Sequence, residues 1–355
     1  MIAFVLRRLA YGLMVMLVVV TTIAGIIFLA PVDPARLTFG QRSDVSTVKA
    51  KTAELGLDQP LYVQLGRYLH DLSPVSTHDN TVENQRKYNY NVLFSLSKGR
   101  VLVFKWPYLR ESFQSGRKVS EILSDAIPAT ALLAVTALAI ALLFGLILGI
   151  LSALKVHTWV DNLVAVLAVL GYSLPSYVAA ILLALVFGYW LENWTGLEVQ
   201  GSLYALDDFG DWELRWRNLV LPAIALGLRP VALIAQLTRS AMLEVLSQDY
   251  VRTARAKGLP ARTVVLRHAL RNALNPVASA VSGWFAALLT GAFFVENVFN
   301  FKGLGDVTVT ALLNFDLPVV LGCVLFTSVV FILINLLSDL LYAWLDPRIR
   351  MDGKQ

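Results

Sequence analysis

The sequence predicts an all-α polytopic membrane protein with six transmembrane helices and a large extracytoplasmic segment between the first two. Of its 355 residues, 57% are hydrophobic and 15% are charged, whereas about a quarter of the residues in soluble domains are charged. The apolar residues form six stretches that contain no charged side chain except Arg229. Because roughly 20 helical residues cross a bilayer and must satisfy their backbone internally, each stretch is predicted to span the membrane once.

The predicted spans divide the chain into segments. They cover residues 9–32, 126–154, 162–191, 218–238, 272–295 and 317–338. Arg7 and Arg8 precede the first span as they would precede a signal peptide, but its apolar run is about twice the usual length, so it is interpreted as a retained helix. The predicted segments are 1–32 (N-terminus and first span), 33–125 (extracytoplasmic), 126–345 (membrane core with a cytoplasmic loop at 239–271) and 346–355 (tail).

The distribution of basic residues predicts that both termini are cytoplasmic. With that orientation, the inside segments contain thirteen Lys and Arg residues and the short outside segments contain three. Such an excess is typical of the cytoplasmic side. The segment 33–118 contains thirteen more, but loops longer than about 60 residues cross the membrane largely regardless of charge.

Part of the predicted extracytoplasmic segment has a helical pattern. Leu55–Leu61 contains a turn signal, and the apolar spacing through Tyr62, Leu65 and Tyr68 then predicts a short amphipathic helix. The stretch from Ser73 to Tyr90 is polar and is predicted to be a loop.

The residue inventory excludes several classes of function. A single cysteine, Cys323, excludes an internal disulfide and any cysteine-based metal site. The four histidines are scattered, so no metal site is predicted. No phosphate-binding Gly-x4-Gly-Lys-Ser/Thr motif is present, and no catalytic set stands out. The net charge of +5 is too small and dispersed to indicate nucleic-acid binding. We therefore expect neither enzymatic activity nor a cofactor.

The loop at 239–271 is more structured than topology requires. It contains seven basic and two acidic residues. Ser247 or Asp249 is predicted to cap a helix that Gly258 and Pro260 end. A positively charged loop that touches lipid headgroups is one interpretation. The predicted cap, break and small residues favour a docking site for a cytoplasmic partner.

The same loop carries a resemblance. Arg252-Thr-Ala-Arg-Ala-Lys-Gly258-Leu-Pro260, followed by Arg267-His-Ala-Leu270, resembles the coupling loop of permease subunits of binding-protein-dependent ABC importers, in the dipeptide, oligopeptide and nickel class. Further matches occur in the family's order at 4–9, 55–61, 116–122, 335–342 and 345–350. Arg252 stands where the general family pattern has Glu, as is usual in the peptide class. The stretch 70–106 is longer than is typical, which leaves the outside docking surface undefined.

The resemblance implies a transport subunit in the lipid bilayer, with the chemistry in its partners. These would be a homologous second permease, two cytoplasmic ABC ATPases that bind the ATP, and an extracytoplasmic substrate-binding protein. Peptides are the expected cargo, with nickel chelates, glutathione, opines and some oligosaccharides as alternatives. The residues expected to couple to the ATPases are Tyr250, Arg252, Ala254, Arg255, Ala256, Lys257, Gly258 and Pro260. Tyr250 is expected to be an aromatic anchor, and Ala254 and Ala256 to allow close packing.

Two other classes of function stay open at this point. A secondary transporter would be expected to have inverted repeats and broken helices with ion ligands at the midplane, and no convincing repeat is visible. A membrane-embedded enzyme would require paired catalytic residues, which are not visible either.

Three charged residues in or after the predicted spans call for a role. Arg229 falls near the predicted midplane, where a charge is costly and usually faces a polar cavity or a partner. We expect it to line the translocation pathway, and pairing within the subunit or snorkelling is the alternative. Asp339 and Asp346, near the C-terminus, are expected to pair with basic residues or to cap helices.

Overall fold

The computed structural model describes residues 2–29, 52–53, 58–96, 99–206 and 211–345. Within these ranges the chain divides into two compact units. The sheet unit comprises residues 11–125 and 310–326, and the helical unit comprises residues 126–309 with 1–10 and 327–355.

The sheet unit combines two helix segments from the predicted spans with a small α/β structure. Its elements are α1 (Ile2–Leu29, shared with the helical unit), α2 (Leu61–Leu72), β1 (Val75–Asp79), α3 (Val82–Tyr88), β2 (Asn91–Ser95) and β3 (Arg100–Phe104). The strands form an antiparallel sheet in the order β1-β3-β2. Helix α2 confirms the amphipathic helix predicted from Tyr62, Leu65 and Tyr68.

The sheet corrects the prediction of an all-α fold and of a loop over 73–90. In β1 the side chains of Ser76 and His78 point inward and alternate with exposed residues. Polar residues at inward positions hide the period-2 hydrophobic pattern that identifies a strand. The strand is specified mainly by its partner β3, where Val101 and Val103 are buried.

Two apolar clusters hold the sheet unit together. One contains Tyr90, Val101 and Val103 behind the sheet. In the other, Val20 of α1 and Tyr68 of α2 pack with the first turns of the last helix, which begins at Leu317.

The helical unit contains the remaining elements. They are α4 (Val119–Leu154, which starts in the sheet unit), α5 (Trp159–Ser173), α6 (Ser176–Leu183) with a π-helical continuation (Ala184–Trp190), α7 (Glu192–Thr195), β4 (Tyr204–Leu206), β5 (Trp212–Leu214), α8 (Arg217–Leu246), α9 (Asp249–Ala256), α10 (Ala261–Thr263) with a π-helical continuation (Val264–Ala269), α11 (Leu270–Gly291), α12 (Phe293–Val298), α13 (Leu304–Leu313) and α14 (Leu317–Leu345, whose first turns lie in the sheet unit). Strands β4 and β5 form an antiparallel pair.

Within the described residues, four helices are long and apolar enough to cross a membrane: α1, α4, α8 and α14. Two bent pairs of helices bring the number to six if each pair counts as one span. One pair joins α5 to α6 and bends by 107° at Leu174 and Pro175; the other, at 261–298, bends by 45°. The chain is therefore mainly helical and polytopic, and the third predicted span is broken in its middle.

Glycines let α4 and α8 approach closely. A Cβ atom on Gly145 would lie 2.7 Å from Cγ2 of Ile234, and one on Gly149 would lie 2.5 Å from Cβ of Thr238. The two glycines are four residues apart, which is the small-xxx-small spacing that allows backbone contact between membrane helices. Larger residues would force the two helices apart.

A buried carboxylate organises the region after α12. Glu296 accepts hydrogen bonds from the Thr130 hydroxyl (2.8 Å) and from the backbone N–H of Gly305 (2.7 Å). Thr130 in turn accepts the N–H of Leu304 at 2.7 Å. Glu296 therefore satisfies N–H groups at the beginning of α13 and joins that helix to α4.

Candidate functional site

The loop at 239–271 folds as a short helix between two long ones. Helix α9 buries Val251 and Ala254, which pack with Val264 and the end of α8. These two positions are three residues apart and lie on one face of the helix. Arg252, Arg255 and Lys257 are exposed. The helix thus presents positive charge outward and is fixed to its own chain by a small apolar contact.

Gly258 ends α9 in the left-handed conformation. Its φ is 74°, and its N–H donates to the carbonyl of Arg255 at 3.0 Å. A Cβ atom here would meet nothing within 4 Å. The need for glycine is therefore conformational rather than steric. Pro260 then precedes α10 and turns the chain toward α11.

Two details of the predicted loop are wrong. Neither Ser247 nor Asp249 caps α9 with its side chain, because Gln248 occupies the cap position and Asp249 lies in the first turn. Ala254 and Ala256 do not share an exposed face, because Ala254 is buried within the chain and only Ala256 is exposed. The small size of Ala254 serves internal packing.

Tyr250 makes a hydrogen bond within its own chain but remains partly exposed. Its hydroxyl accepts a hydrogen bond from the Asn272 side-chain amide at 2.7 Å, while 42% of the residue stays exposed. Leu259 and Leu266 are further exposed apolar residues of the loop. These two were missed, because single leucines in a basic stretch carry no sequence pattern.

Arg239, the first arginine of the loop, pairs with a carboxylate of another helix. Arg239 donates from Nε to Asp161 Oδ1 (2.7 Å) and from Nη2 to Oδ2 (2.8 Å). Asp161 also accepts the Ser152 hydroxyl and the backbone N–H of His157. The nearly buried carboxylate thus joins α8 to the connection between α4 and α5. Asp161 and Arg239 are 78 positions apart, and no local sequence pattern indicates that they are in contact.

Arg229 lies near the middle of α8 and is exposed. Its Cζ lies 4.8 Å from the ring centroid of Tyr172, a cation–π contact with the last turn of α5. The break at Leu174 and Pro175 follows directly. The alternative expectation is that Arg229 pairs within the subunit. The Tyr172 ring is such a partner, but an aromatic ring does not neutralise the charge.

The other predicted charged residues lie elsewhere. Asp339 of α14 forms an ion pair with Arg8 at 2.9 Å, which agrees with the predicted pairing. Asp346 lies outside the described residues.

Comparison with known proteins identifies the family. The profile described as "Binding-protein-dependent transport system inner membrane component" matches residues 145–351. The profile for the N-terminal part of such membrane components matches residues 1–134. Together the two matches cover nearly the whole chain.

Individual relatives align over the full length. A protein of Brucella abortus, named as a peptide transport system permease, is 38% identical and covers 99% of this chain and 100% of its own. A protein of Escherichia coli K12, named as a D,D-dipeptide transport system permease, is 37% identical, with 98% of each chain covered. The glutathione transport system permease of Salmonella paratyphi A is 35% identical, with 99% of each covered. The chain therefore belongs to the family of inner-membrane permease subunits of binding-protein-dependent ABC importers, in the peptide class.

Proposed function

We propose that this permease carries short peptides, and that it forms half of a translocation pathway with a homologous second permease. The names of three full-length relatives, which specify peptides, D,D-dipeptides and glutathione, support this cargo. All three are peptide-like molecules. Glutathione is the nearest alternative cargo, followed by nickel chelates and opines.

The complex would contain two cytoplasmic ABC ATPases that hold the ATP, while this subunit has no nucleotide site or cofactor of its own. The absence of a phosphate-loop motif from the sequence supports that division. An extracytoplasmic binding protein would deliver the peptide.

In the proposed topology both termini are cytoplasmic, six spans cross the membrane and residues 33–125 are extracytoplasmic. Segment 126–345 is then the membrane core, and 346–355 is a cytoplasmic tail. The excess of Lys and Arg in the short inside loops supports this orientation.

The observation that carries the coupling role is the amphipathic helix α9. Its inner face is fixed by Val251 and Ala254, and its outer face presents Arg252, Arg255 and Lys257. Such a surface suits a groove with an acidic rim. Tyr250 and Leu259 would supply the apolar contact with the ATPase, and Gly258 and Pro260 set the exit direction of the chain.

Arg229 is proposed to line the translocation pathway. An exposed guanidinium in the middle of a long apolar helix is costly against lipid, so a polar cavity or a partner subunit is the environment that suits it. Its charge would attract the carboxylate of a passing peptide.

The test of the proposed function is uptake by the complete complex in proteoliposomes. We expect a labelled dipeptide to accumulate only with the binding protein and internal ATP. Collapse of a proton gradient should leave uptake unchanged. Uptake that followed the proton gradient and ignored ATP would instead identify a secondary transporter, the alternative class.

The topology has a separate test. Cys323 is the single cysteine, so one substitution, Cys323→Ser, gives a cysteine-free background. A cysteine introduced at Ser247 should react with a membrane-impermeant maleimide only after cell lysis, whereas one at Thr77 should react in intact spheroplasts. The reverse pattern would invert the orientation.

A further inference from the structure

The sheet unit contains a cavity that the transport role does not use. Its volume is about 850 Å³, and it lies between α2, α3 and the segment after β3. The apolar side of its lining includes Ala24, Phe113, Leu317 and Leu321. The first of these is close to the end of the α1 span, and the last two begin the α14 span. The cavity therefore has an apolar floor at the ends of two predicted spans.

A buried ionic cluster forms one wall. Asp71, 7% exposed, accepts a hydrogen bond from Nε of Arg110 at 2.8 Å and one from the Tyr88 hydroxyl at 3.2 Å. Lys105, 2% exposed, donates to the carbonyl of Asp71 and lies 4.4 Å from the Tyr88 ring centroid. Asp71 and Arg110 pair with each other, and Lys105 lies behind them on the Asp71 carbonyl and the Tyr88 ring, so the cluster shapes the wall.

Arg110 is held in an uncommon backbone conformation. Its φ is 67°, in the left-handed region that non-glycine residues seldom adopt. Such conformations persist where the surroundings over-determine them, and they concentrate at binding sites. The guanidinium of Arg110 lies 5.4 Å from the Tyr68 ring centroid. Arg110 therefore makes a cation–π contact with an aromatic ring of the cavity lining.

The hydroxyl of Tyr68 is an unsatisfied polar group in this lining. The residue is 3% exposed, and its hydroxyl has no hydrogen-bond partner among the residues that the structure describes. Burial raises the pKa of Tyr68, so the group stays neutral and can both donate and accept. Buried hydroxyls are normally paired. The hydroxyl oxygen has almost no accessible surface, so it lies beneath the cavity lining and a ligand in the cavity does not reach it.

The remaining charges around the cavity are balanced in sign. Arg67 and Lys87 supply positive charge, and Glu83 and Glu111 supply negative charge. Glu83 and Lys87 are four residues apart on α3 and both line the cavity, so they lie on one face of that helix. Lys87 Nζ also lies 5.5 Å from the Tyr88 ring centroid. A simple anion or cation would meet repulsion from half of these groups, whereas a zwitterion meets a partner for each charge.

We propose that this cavity binds a short zwitterionic peptide through its two charged ends. The peptide carboxylate pairs with Lys87 and Arg67, the ammonium pairs with Glu83 and Glu111, and an apolar side chain lies on the floor. The ligand class rests on the proposed peptide function, but the cavity and Arg229 belong to different units of the chain. The cavity would hold peptide on the permease itself.

The test is a binding titration on the reconstituted permease–ATPase complex without the binding protein. The probe is L-alanyl-L-phenylalanine, compared with its N-acetylated form and its C-terminal amide. We expect the free dipeptide to bind and each capped form to bind about tenfold more weakly or worse, because each loses one charge-assisted contact. Tyr68→Phe, which removes only the buried hydroxyl beneath the lining, should leave binding unchanged.

Two variants test which residues bind the carboxylate and which bind the ammonium group of the dipeptide. Lys87→Gln should weaken binding of the free dipeptide but not of the amide, and Glu83→Gln should weaken binding of the free dipeptide but not of the N-acetylated form. Arg86→Gln is the matched control, since Arg86 is the exposed neighbour on α3 and does not line the cavity. Hydrogen exchange of β1 and β3 verifies that each variant is folded.

Three outcomes would overturn the site: no binding by the free dipeptide, equal binding of the capped forms, or equal effects of Lys87→Gln and Arg86→Gln. A fourth is a phospholipid that native mass spectrometry finds bound to the wild type and absent from Lys87→Gln, because the cavity would then hold a zwitterionic lipid headgroup. ATP-driven uptake with the binding protein, measured on the same variants, reports on the proposed function independently. Normal uptake with no binding would reject the cavity site and leave the transport role intact.

Discussion

Arg239 and Asp161 form a two-point contact, with Nε and Nη2 of the arginine 2.7 and 2.8 Å from the two carboxylate oxygens. Bidentate pairs of this kind fix orientation as well as distance. The contact fixes the C-terminal part of α8 and therefore the position at which α9 begins.

Removal of one partner from this pair should destabilise the subunit. Asp161→Asn leaves the Arg239 guanidinium without its counter-charge, and we expect a lower melting temperature in detergent. The double variant Asp161→Asn/Arg239→Gln should recover part of the loss. Arg215→Gln, which removes an exposed pair with Glu213, is the control and should change little. Equal melting temperatures for Asp161→Asn and wild type would contradict a structural role for the pair.

Gly258→Val should uncouple transport without preventing membrane insertion. A β-branched residue with φ near 74° costs about 1–2 kcal/mol and should turn the exit of α9 away from its direction. We expect both peptide-stimulated ATP hydrolysis and uptake to fall. Gly258→Asn is the matched control, because asparagine tolerates the left-handed region and the site has room for its side chain. Full stimulation and uptake in Gly258→Val would remove this loop from the coupling mechanism.

Arg229→Ala should reduce uptake about tenfold or more, since a charge-assisted contact with the peptide carboxylate is lost. Arg229→Lys should keep part of the activity. Tyr172→Phe keeps the ring under the guanidinium and should transport normally, whereas Tyr172→Leu should transport less. Initial rates of labelled dipeptide uptake at equal subunit abundance measure all four. A wild-type rate for Arg229→Ala would show that this arginine does not face the pathway.

Gly149→Leu should prevent α4 and α8 from packing. Even Gly149→Ala places a Cβ 2.5 Å from Cβ of Thr238, and we expect it to cost about 1–3 kcal/mol through overpacking. Gly283→Ala is the control, because a Cβ there meets nothing within 4 Å. Disulfide trapping between cysteines placed on α4 and α8 should weaken in the Gly149 variants only. Unchanged trapping would show that the close approach is not required.

The sheet unit should lose stability as pH falls from 6.5 to 4. Burial lowers the pKa of His78 to about 4, and the nearby Lys105 and His70 act in the same direction, while Asp71 and Asp79 oppose it. Between an unfolded pKa of about 6.5 and the folded value, the unfolded chain binds a proton that the folded chain does not, which favours unfolding. Hydrogen exchange of β1 and β3 across this range measures the loss. His78→Gln should flatten it, and His157→Gln, at an exposed position, should not.

Much of the membrane architecture could be predicted from the sequence, because uncharged segments long enough to cross a bilayer rarely form anything other than membrane-spanning helices. The end of α9 could also be predicted, since Gly258 and Pro260 each impose a local backbone conformation. These features depend on residues that are neighbours along the chain.

The features that could not be predicted depend on distant pairing. Strand β1 has Ser76 and His78 on its inner face, so its sequence lacks the alternating apolar pattern of a strand. Its pairing with β3, a distant segment, specifies the strand instead. The Asp161–Arg239 contact joins positions without any shared local motif. Leu174–Pro175 was visible as a helix-breaking dipeptide within an apolar run, but the run length alone predicted one continuous span.

The break between α5 and α6 has a consequence for how the cell handles this chain. The end of α5 leaves backbone carbonyls that its own helix cannot satisfy, and Pro175 contributes no N–H to meet them. Hydrocarbon offers no substitute, so the break must face protein or water. An orphan copy, made in excess of its partners, would expose this defect to lipid. We expect membrane proteases to clear such copies, so that the abundance of the chain follows that of its assembled complex.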